Sequence, residues 1–500
     1  MKKLVAPLLI GAMFGSYAMA EDMDLKAEIK ALKKQMAELK AAQEKINIDA
    51  LSKQLTEVKA HDAGDNIKFS VDFRTAYDLV DYKIKNSSNK SNGIWTNKLI
   101  LNMAAQPRED LVFKGALGVY KEFGVNQSAT ANSFQNFDWY ATQTPSGDAN
   151  LRLREAYFLY FGQAGNVPYT VSFGRRPATD GFLVNYREDN ERPASPIGHN
   201  INMEFDGASF MAKLEDVTGI SGLYVKLCLG RGNSNAEAKY PTFTGFPIMR
   251  NVTPSFLQAP YVKSDFDSPN MDLAGILAQL YDDGQYKAMF TYFKGWNMMG
   301  ANFTPTGGGT YSVNLTDVGD LTGGALSVQV SGIGDEINDF LDDTIAFASF
   351  AWSKTDPKGS HYIPDGLGGV IAMKEMLGSS KSETGTSYYV GLNMPCPVVE
   401  DARFGIEYNH GSKYWRSFDY GEDTLVGSKL STRGDAYEFY YNLPLLDKFL
   451  TAQFRYTYID YDYTGSDMFF GSTGTPVDVD TTPGAVKSAQ NIRLYLRYRY

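Results

Sequence analysis

The last ten residues, Asn491 to Tyr500, alternate two incompatible chemistries at single-residue spacing. Ile492, Leu494, Leu496, Tyr498 and Tyr500 fall on one side of an extended strand. Arg493, Tyr495, Arg497 and Arg499 fall on the other, because strand side chains alternate with period two. A row of arginines has no place in a soluble core, and an apolar row ending in tyrosines has none on a wetted face. Lipid on one side and a water-filled lumen on the other satisfy both rows. The amphipathic edge strand of a soluble sheet is the alternative that ten residues leave open.

The same grammar recurs along the chain. Ile67, Phe69, Val71 and Phe73 alternate with Lys68, Ser70, Asp72 and Arg74. Clear alternation returns at 113–117, 223–227, 286–292, 326–330, 388–394, 404–408, 437–443 and 450–458, and weaker alternation near 95–104, 151–161, 169–175, 205–214, 271–280 and 344–353. With the last strand this predicts sixteen strands. Short connections are expected near 105–110, 162–168, 215–219, 281–284, 333–343, 395–401 and 443–447. Long ones are expected near 80–93, 122–150, 176–204, 231–270, 297–323, 355–386, 412–434 and 464–489. Short turns at one rim and long loops at the other, with an even strand number, are the habit of outer-membrane barrels. A soluble β-sandwich has no reason to sort its loops by side. The expected fold is therefore all-β: a sixteen-stranded antiparallel transmembrane β-barrel over 66–500, its last strand meeting 67–73 across the seam, preceded by an N-terminal α-helical coiled-coil segment.

The N-terminus agrees. Lys2 and Lys3 precede an apolar run over 4–14, and Ala18-Met19-Ala20 supplies a small-x-small cleavage site, so 1–20 reads as a secretory signal. No later stretch reaches the ~18 consecutive apolar residues of a membrane-spanning helix. Over 21–60, Leu25, Ile29, Leu32, Met36 and Leu39 follow coiled-coil seam spacing between lysines and glutamates. A polar helix of that length needs a partner, so a parallel, trimeric coiled coil in the periplasm is expected, with a lone helix at the barrel mouth as the alternative. Residues 61–65 read as a linker. Once the signal is removed, 46 basic residues face 58 acidic ones, a balance that argues against nucleic acid as a partner. Cys228, near the outer end of one strand, and Cys396, in a turn at the opposite rim, are expected to be free thiols.

Residues fit for catalysis are scarce. The four histidines, His61, His199, His361 and His410, are scattered, and no metal spacing, haem motif or phosphate loop occurs. The expectation is no enzyme, no catalytic residue, no metal and no cofactor. Arginines are placed to face a lumen at Arg74, Arg152, Arg154, Arg176, Arg455, Arg493, Arg497 and Arg499. They either set a selective field or brace the wall through ion pairs. One placement is awkward: if Leu151, Leu153, Tyr157 and Leu159 face lipid, so does Glu155, unless a β-bulge, an interfacial height or a subunit contact intervenes.

The signal peptide, the coiled coil, Leu153-Arg154-Glu155-Ala156-Tyr157, the segment Phe173 to Pro177 with Ala178-Thr179-Asp180-Gly181 behind it, and the terminal aromatic together resemble a poorly characterised family of porin-like outer-membrane proteins of Gram-negative bacteria. General and phosphate-selective porins are similar at greater distance. The resemblance implies that the third long loop, 176–204, folds into the lumen. Asp180, Arg187, Glu188, Asp189, Glu191 and Arg192 would then form a constriction, its return stiffened by Pro193 and Pro196. It also implies that Tyr498 and Tyr500 belong to a C-terminal signal read by the barrel-assembly machinery. The function expected is passive diffusion of small hydrophilic solutes or ions through a homotrimeric porin in outer-membrane lipid. The rival is a structural barrel that sheathes an electron-transfer complex or tethers the envelope.

Overall fold

A computed structural model of the chain describes residues 67–123, 151–176, 180–190, 192–202, 204–234, 236–238, 261–263, 269–334, 337–358, 361–364, 367–373, 378–419, 422–447, 449–466 and 474–500. The expected signal, coiled coil and linker lie outside the described residues, as does Glu191.

Sixteen antiparallel strands close into one barrel. The first half comprises β1 (Lys68–Ile84), β2 (Lys90–Arg108), β3 (Leu111–Glu122), β4 (Arg152–Ala164), β5 (Val167–Arg176), β6 (Phe205–Lys213), β7 (Tyr224–Asn233) and β8 (Met271–Asp282). The second comprises β9 (Tyr286–Gly307), β10 (Thr310–Ser331), β11 (Ile345–Pro357), β12 (Thr384–Pro395), β13 (Arg403–Gly411), β14 (Gly434–Leu446), β15 (Leu450–Tyr461) and β16 (Val486–Arg499). Each strand pairs with its chain neighbours, and β16 closes on β1. Closure removes every edge, which is why the backbone can sit in hydrocarbon with its polar groups satisfied.

Burial follows the alternation. Leu494 is 53% exposed, while Arg493 beside it is fully buried. Phe69, Phe73, Leu227, Leu229, Phe350 and Ile406 are exposed in the same way around the outside of the wall. An apolar band of that extent calls for lipid.

Two expected long loops are short. The connection after β1 spans only 85–89, and β9 and β10 run 22 residues each before meeting at 308–309. Gly308 and Gly309 both adopt positive φ, 61° and 76°, as a two-residue hairpin turn of matching twist requires. A bilayer needs only ~9–11 residues per strand, so this hairpin continues beyond it.

Two placements are corrected. The seam partner of β16 is the stretch from Asp72 to Ile84, not 67–73, because strands of a closed barrel are staggered by its shear. Tyr500 continues that pairing through two backbone bonds with Val71. Glu155 does not face lipid. The register of β3 with β4 shifts between Ala116 and Leu117, whose partners are Glu155 and Leu153, leaving Arg154 as the extra residue of a bulge. Leu153 (46% exposed) faces out before the bulge, Phe158 (41%) and Tyr160 (38%) face out after it, and Tyr157 (8%) turns inward on the parity of Glu155. Cys228, on β7, and Cys396, in the turn after β12, are free thiols.

Candidate functional site

Two loops enter the lumen. In the first, 180–202, Gly181–Phe182 pairs in parallel with Ala194–Ile197, giving an inserted segment its own backbone partners. Phe182, Leu183, Val184 and Ile197 then pack on inward residues of β8 to β12, among them Leu277, Met289, Phe347 and Tyr389. In the second, 412–433, Trp415 and Leu430 join the same cluster, and Trp415 Nε1 donates to the Leu430 carbonyl at 2.7 Å. Gly385 of β12 lies flush against the Trp415 backbone, where a Cβ would collide with it. Apolar packing thus anchors both loops on one arc of the wall, and their charged residues face the other arc.

Bases crowd that other arc on β1, β2, β15 and β16. Arg74 lies opposite Lys98 on β2 and opposite Arg497 on β16, and Arg455 lies opposite Arg493. Like charges side by side are unfavourable unless anions arrive from elsewhere. Asp72 and Asp78 of β1 supply two, bonded to Arg497 and Arg493, and the loops deliver the others. The Asp423 carboxylate accepts from Arg74 Nη1 and Nη2 (2.7 and 3.1 Å), Lys98 Nζ (2.9 Å), Arg493 Nη1 (3.1 Å) and the Tyr120 hydroxyl (3.2 Å). Glu188 accepts from Arg187 Nε at 2.7 Å and Arg455 Nη1 at 3.1 Å. Arg497 Nη1 donates to the Glu188 carbonyl and Arg499 Nη1 to the Asp189 carbonyl, at 2.8 and 2.7 Å, so the last strand grips the loop tip.

On β13 and β14 the signs are reversed. Glu407 lies directly opposite Glu438, and the loop ammonium of Lys429 bonds both. Arg187 pairs with Glu422 and approaches Glu438 at 3.7 Å. Wall bases meet loop acids, and wall acids meet loop bases. Arg74, Arg187, Glu188, Glu407, Glu422, Asp423, Lys429, Glu438, Arg455 and Arg493 are buried, and Lys98, Arg497 and Arg499 are half-buried.

The burial shapes the loop groups' acidity. Burial alone would raise the Glu188 carboxyl, but Arg187 and Arg455 outweigh it and hold it well below the usual range. Asp423 is likewise held far down, with Arg74, Lys98 and Arg493 overcoming its burial. Asp180 has weaker support and is pushed up by burial and by Glu188. Burial drives the Asp419 carboxyl well above its ordinary value.

His199 shows what this interior does not offer. Both ring nitrogens are taken, by Ser349 Oγ and Ser387 Oγ at 2.8 Å each, and the ring packs between Tyr389 and Trp415. Burial lowers its pKa to about 3. A base so engaged is a spacer between loop and wall, not the partner of a nucleophile open to substrate.

Of the residues singled out from sequence, Arg74, Arg187, Glu188, Asp189, Arg455, Arg493, Arg497 and Arg499 are brought together here. Asp180 lies at the start of the loop, its backbone N–H bonded to Asn202, and Arg192 is exposed. Arg152, Arg154 and Arg176 belong to another part of the wall, where Arg154 pairs with Glu204 at 3.0 Å. Tyr498 and Tyr500 face outward. Sequence reasoning missed Asp423, Glu422, Lys429, Glu407 and Glu438. The two inward glutamates on adjoining strands were the available signal, since a pair of buried carboxylates demands a cation.

The family model described as "Protein of unknown function (DUF3373)" matches residues 88–500. No curated protein sequence matches. Among solved structures, the anion-selective porin from Comamonas acidovorans is similar at 11% identity and a TM-score of 0.45, over 87% of this chain and 99% of that one. The outer-membrane expressed OmpT of Vibrio cholerae is similar at 11% identity and 0.42, over 88% and 99%. The Salmonella typhi OmpF complex with daunomycin is similar at 10% identity and 0.43, over 87% and 98%.

Proposed function

The chain belongs to the family of proteins of unknown function DUF3373, and we propose that it works as an outer-membrane channel. In this reading small hydrophilic solutes or ions diffuse passively through its lumen. The observation that carries it is the division of one closed wall into an apolar, exposed outer face and a charged, polar inner face. No protein interior needs sixteen strands to enclose arginine and glutamate. A passage for polar solutes through lipid does. Loop 180–202, with the acids and bases at its tip, is the constriction, and loop 412–433 narrows the lumen further. The rival role, a sheath around a redox partner, sits poorly with a lumen whose own loops are ion-paired to the wall.

Planar-bilayer recording of the purified protein tests the channel. Ohmic steps with a defined reversal potential are expected; a folded, heat-modifiable barrel that never conducts would retire the reading. The assembly proposed is a homotrimer, with 21–60 as the coiled coil that favours it. Crosslinking should give a three-fold species that weakens on deletion of 21–60, and an unchanged ladder counts against that role.

A further inference from the structure

The two lumen loops meet each other as well as the wall. Ile201 and Phe418 form a parallel bridge, closed by Asn202 N–H to the Phe418 carbonyl at 2.7 Å and by Phe418 N–H to the Asn200 carbonyl at 3.1 Å. Side chains alternate along extended segments, so the neighbours of the bridging pair share the opposite face. Ile201 and Phe418 take the wall side, where the Phe418 ring lies 6.0 Å from that of Phe205 and 5.1 Å from that of Phe293. Asn200, Ser417 and Asp419 take the other side, and each is buried.

Asp419 breaks a rule that the rest of the interior keeps. Every other buried carboxylate among the described residues lies within ion-pair distance of an arginine or a lysine. Asp78 has Arg493, Glu204 has Arg154 and Asp282 has Lys287. Asp419 has no such partner among the described residues. The side chains that act on it are the hydroxyl of Ser417 and the negative charge of Glu422, and Glu422 is already balanced by Arg187. On the facing loop, the side-chain amide of Asn200 has no hydrogen-bond partner at either end. A buried charge is costly unless paired, and the oxygens gathered here lack a positive centre.

We propose that this face of the bridge binds a monovalent cation, sodium, through the Asp419 carboxylate, the Ser417 hydroxyl and the Asn200 side-chain oxygen, and that the ion fastens loop 412–433 to loop 180–202. All three donors are oxygens, the ligands that hard cations take. One carboxylate balances one positive charge, whereas a divalent ion would leave an excess of charge buried. The cost of burying this carboxyl, and its dependence on pH, belongs to the sodium-free protein. The site holds whether or not the barrel conducts.

Exchange of sodium for N-methylglucamine, a cation too bulky for an enclosed site, tests this on the full-length protein in detergent at pH 7. At equal chloride and ionic strength, sodium should raise the unfolding midpoint saturably, by roughly 2–4 °C. Asp419→Asn should lose that rise. In glucamine alone it should unfold above the wild type, because the uncompensated charge is gone. Asn200→Ala should keep the rise but need about tenfold more sodium to reach it. The same wild-type midpoint in both salts, or an equal sodium rise in Asp419→Asn, would overturn the proposal. So would the same rise from calcium at about a hundredfold lower concentration, the behaviour of a divalent site. The salt exchange needs no variant, so it decides even where a substitution prevents folding.

Discussion

Arg74 Nη1 donates to Asp423 Oδ2 at 2.7 Å across 349 residues of chain. One partner stands on the first strand of the barrel and the other on a loop before the fourteenth. The contact fastens loop to seam, because Arg493 of β16 grips the same carboxylate while pairing with Asp78 of β1 at 2.7 Å. A single loop residue thus ties β1, β2 and β16 together at the point where the barrel closes.

Asp423→Asn should cost about 3–5 kcal/mol, since Arg74 loses this partner while remaining buried, and Lys98 loses it while half-buried. The midpoint of heat modification on gels reads the loss. Replacing both partners, Asp423→Leu with Arg74→Met, should cost less than the sum of the single changes, because an apolar pair leaves no stranded charge. Additive losses would show that the two residues are not coupled.

Gly385→Ala places a methyl group against the Trp415 backbone, which cannot rotate aside as a side chain would. Loop 412–433 must lift from the wall, at an overpacking cost of about 1–3 kcal/mol. Single-channel conductance should rise, and tryptophan emission should shift to the red. Unchanged values of both would mean that this seat does not hold the loop.

Neutralising Glu188, Asp189 and Glu191 with Gln, Asn and Gln removes acid from the proposed constriction while the arginines of β16 remain. The reversal potential in a salt gradient should move toward anion selectivity. An unchanged reversal potential would place the selectivity of the channel elsewhere.

Acid should weaken the fold in two stages. His199 is held neutral by burial, with its pKa lowered to about 3, whereas an unfolded histidine titrates near about 6.5. Between those values the unfolded chain binds the proton and the fold does not. Stability therefore falls with falling pH across that window, by up to about 1.4 kcal/mol per pH unit. The carboxyls of Glu188 and Asp423 are held low, so their contribution is complete above the unfolded value of about 4 and fades as pH drops further. Unfolding midpoints measured from pH 8 to 3 should show both losses, and His199→Gln should erase only the upper one.

Asp419 runs the opposite way. Burial raises its carboxyl, with Glu422 adding to the rise, against a weaker opposing contact from Ser417. An acid raised in the fold is stable when protonated, so its cost appears as pH rises above about 4. Asp419→Asn should stabilise the barrel at pH 7 by about 1–3 kcal/mol and do little at pH 4. Equal effects at both values would show that ionisation is not the cost.

Much of this was legible in the chain. Alternation at Leu494, Leu496, Arg493 and Arg497 needed only the pleat of a strand, and each inward arginine of β16 is found inward. The bulge at Arg154 was harder, because one extra residue changes every side assigned after it. The hairpin at 308–309 was missed where three successive glycines, read as a loop, in fact supply a two-residue turn. The loop over 176–204 was expected inside the lumen by resemblance, but loop 412–433 was not. Its signature is Trp415 among buried charges, and no period links it to the wall that receives it.

By itself, the sequence determined a closed wall with lipid on one face and charge on the other, because period-two patterning acts within a few residues and repeats in every strand. Only the tertiary structure decided that Asp423 neutralises Arg74, that Lys429 separates Glu407 from Glu438, and that Arg497 and Arg499 hold the tip of a loop 300 or so residues away. An inward charge announces that it needs a partner but not which one. Coulomb attraction accepts any opposite charge, and the choice falls to whichever loop the apolar packing of Trp415 and Phe182 has already carried into reach.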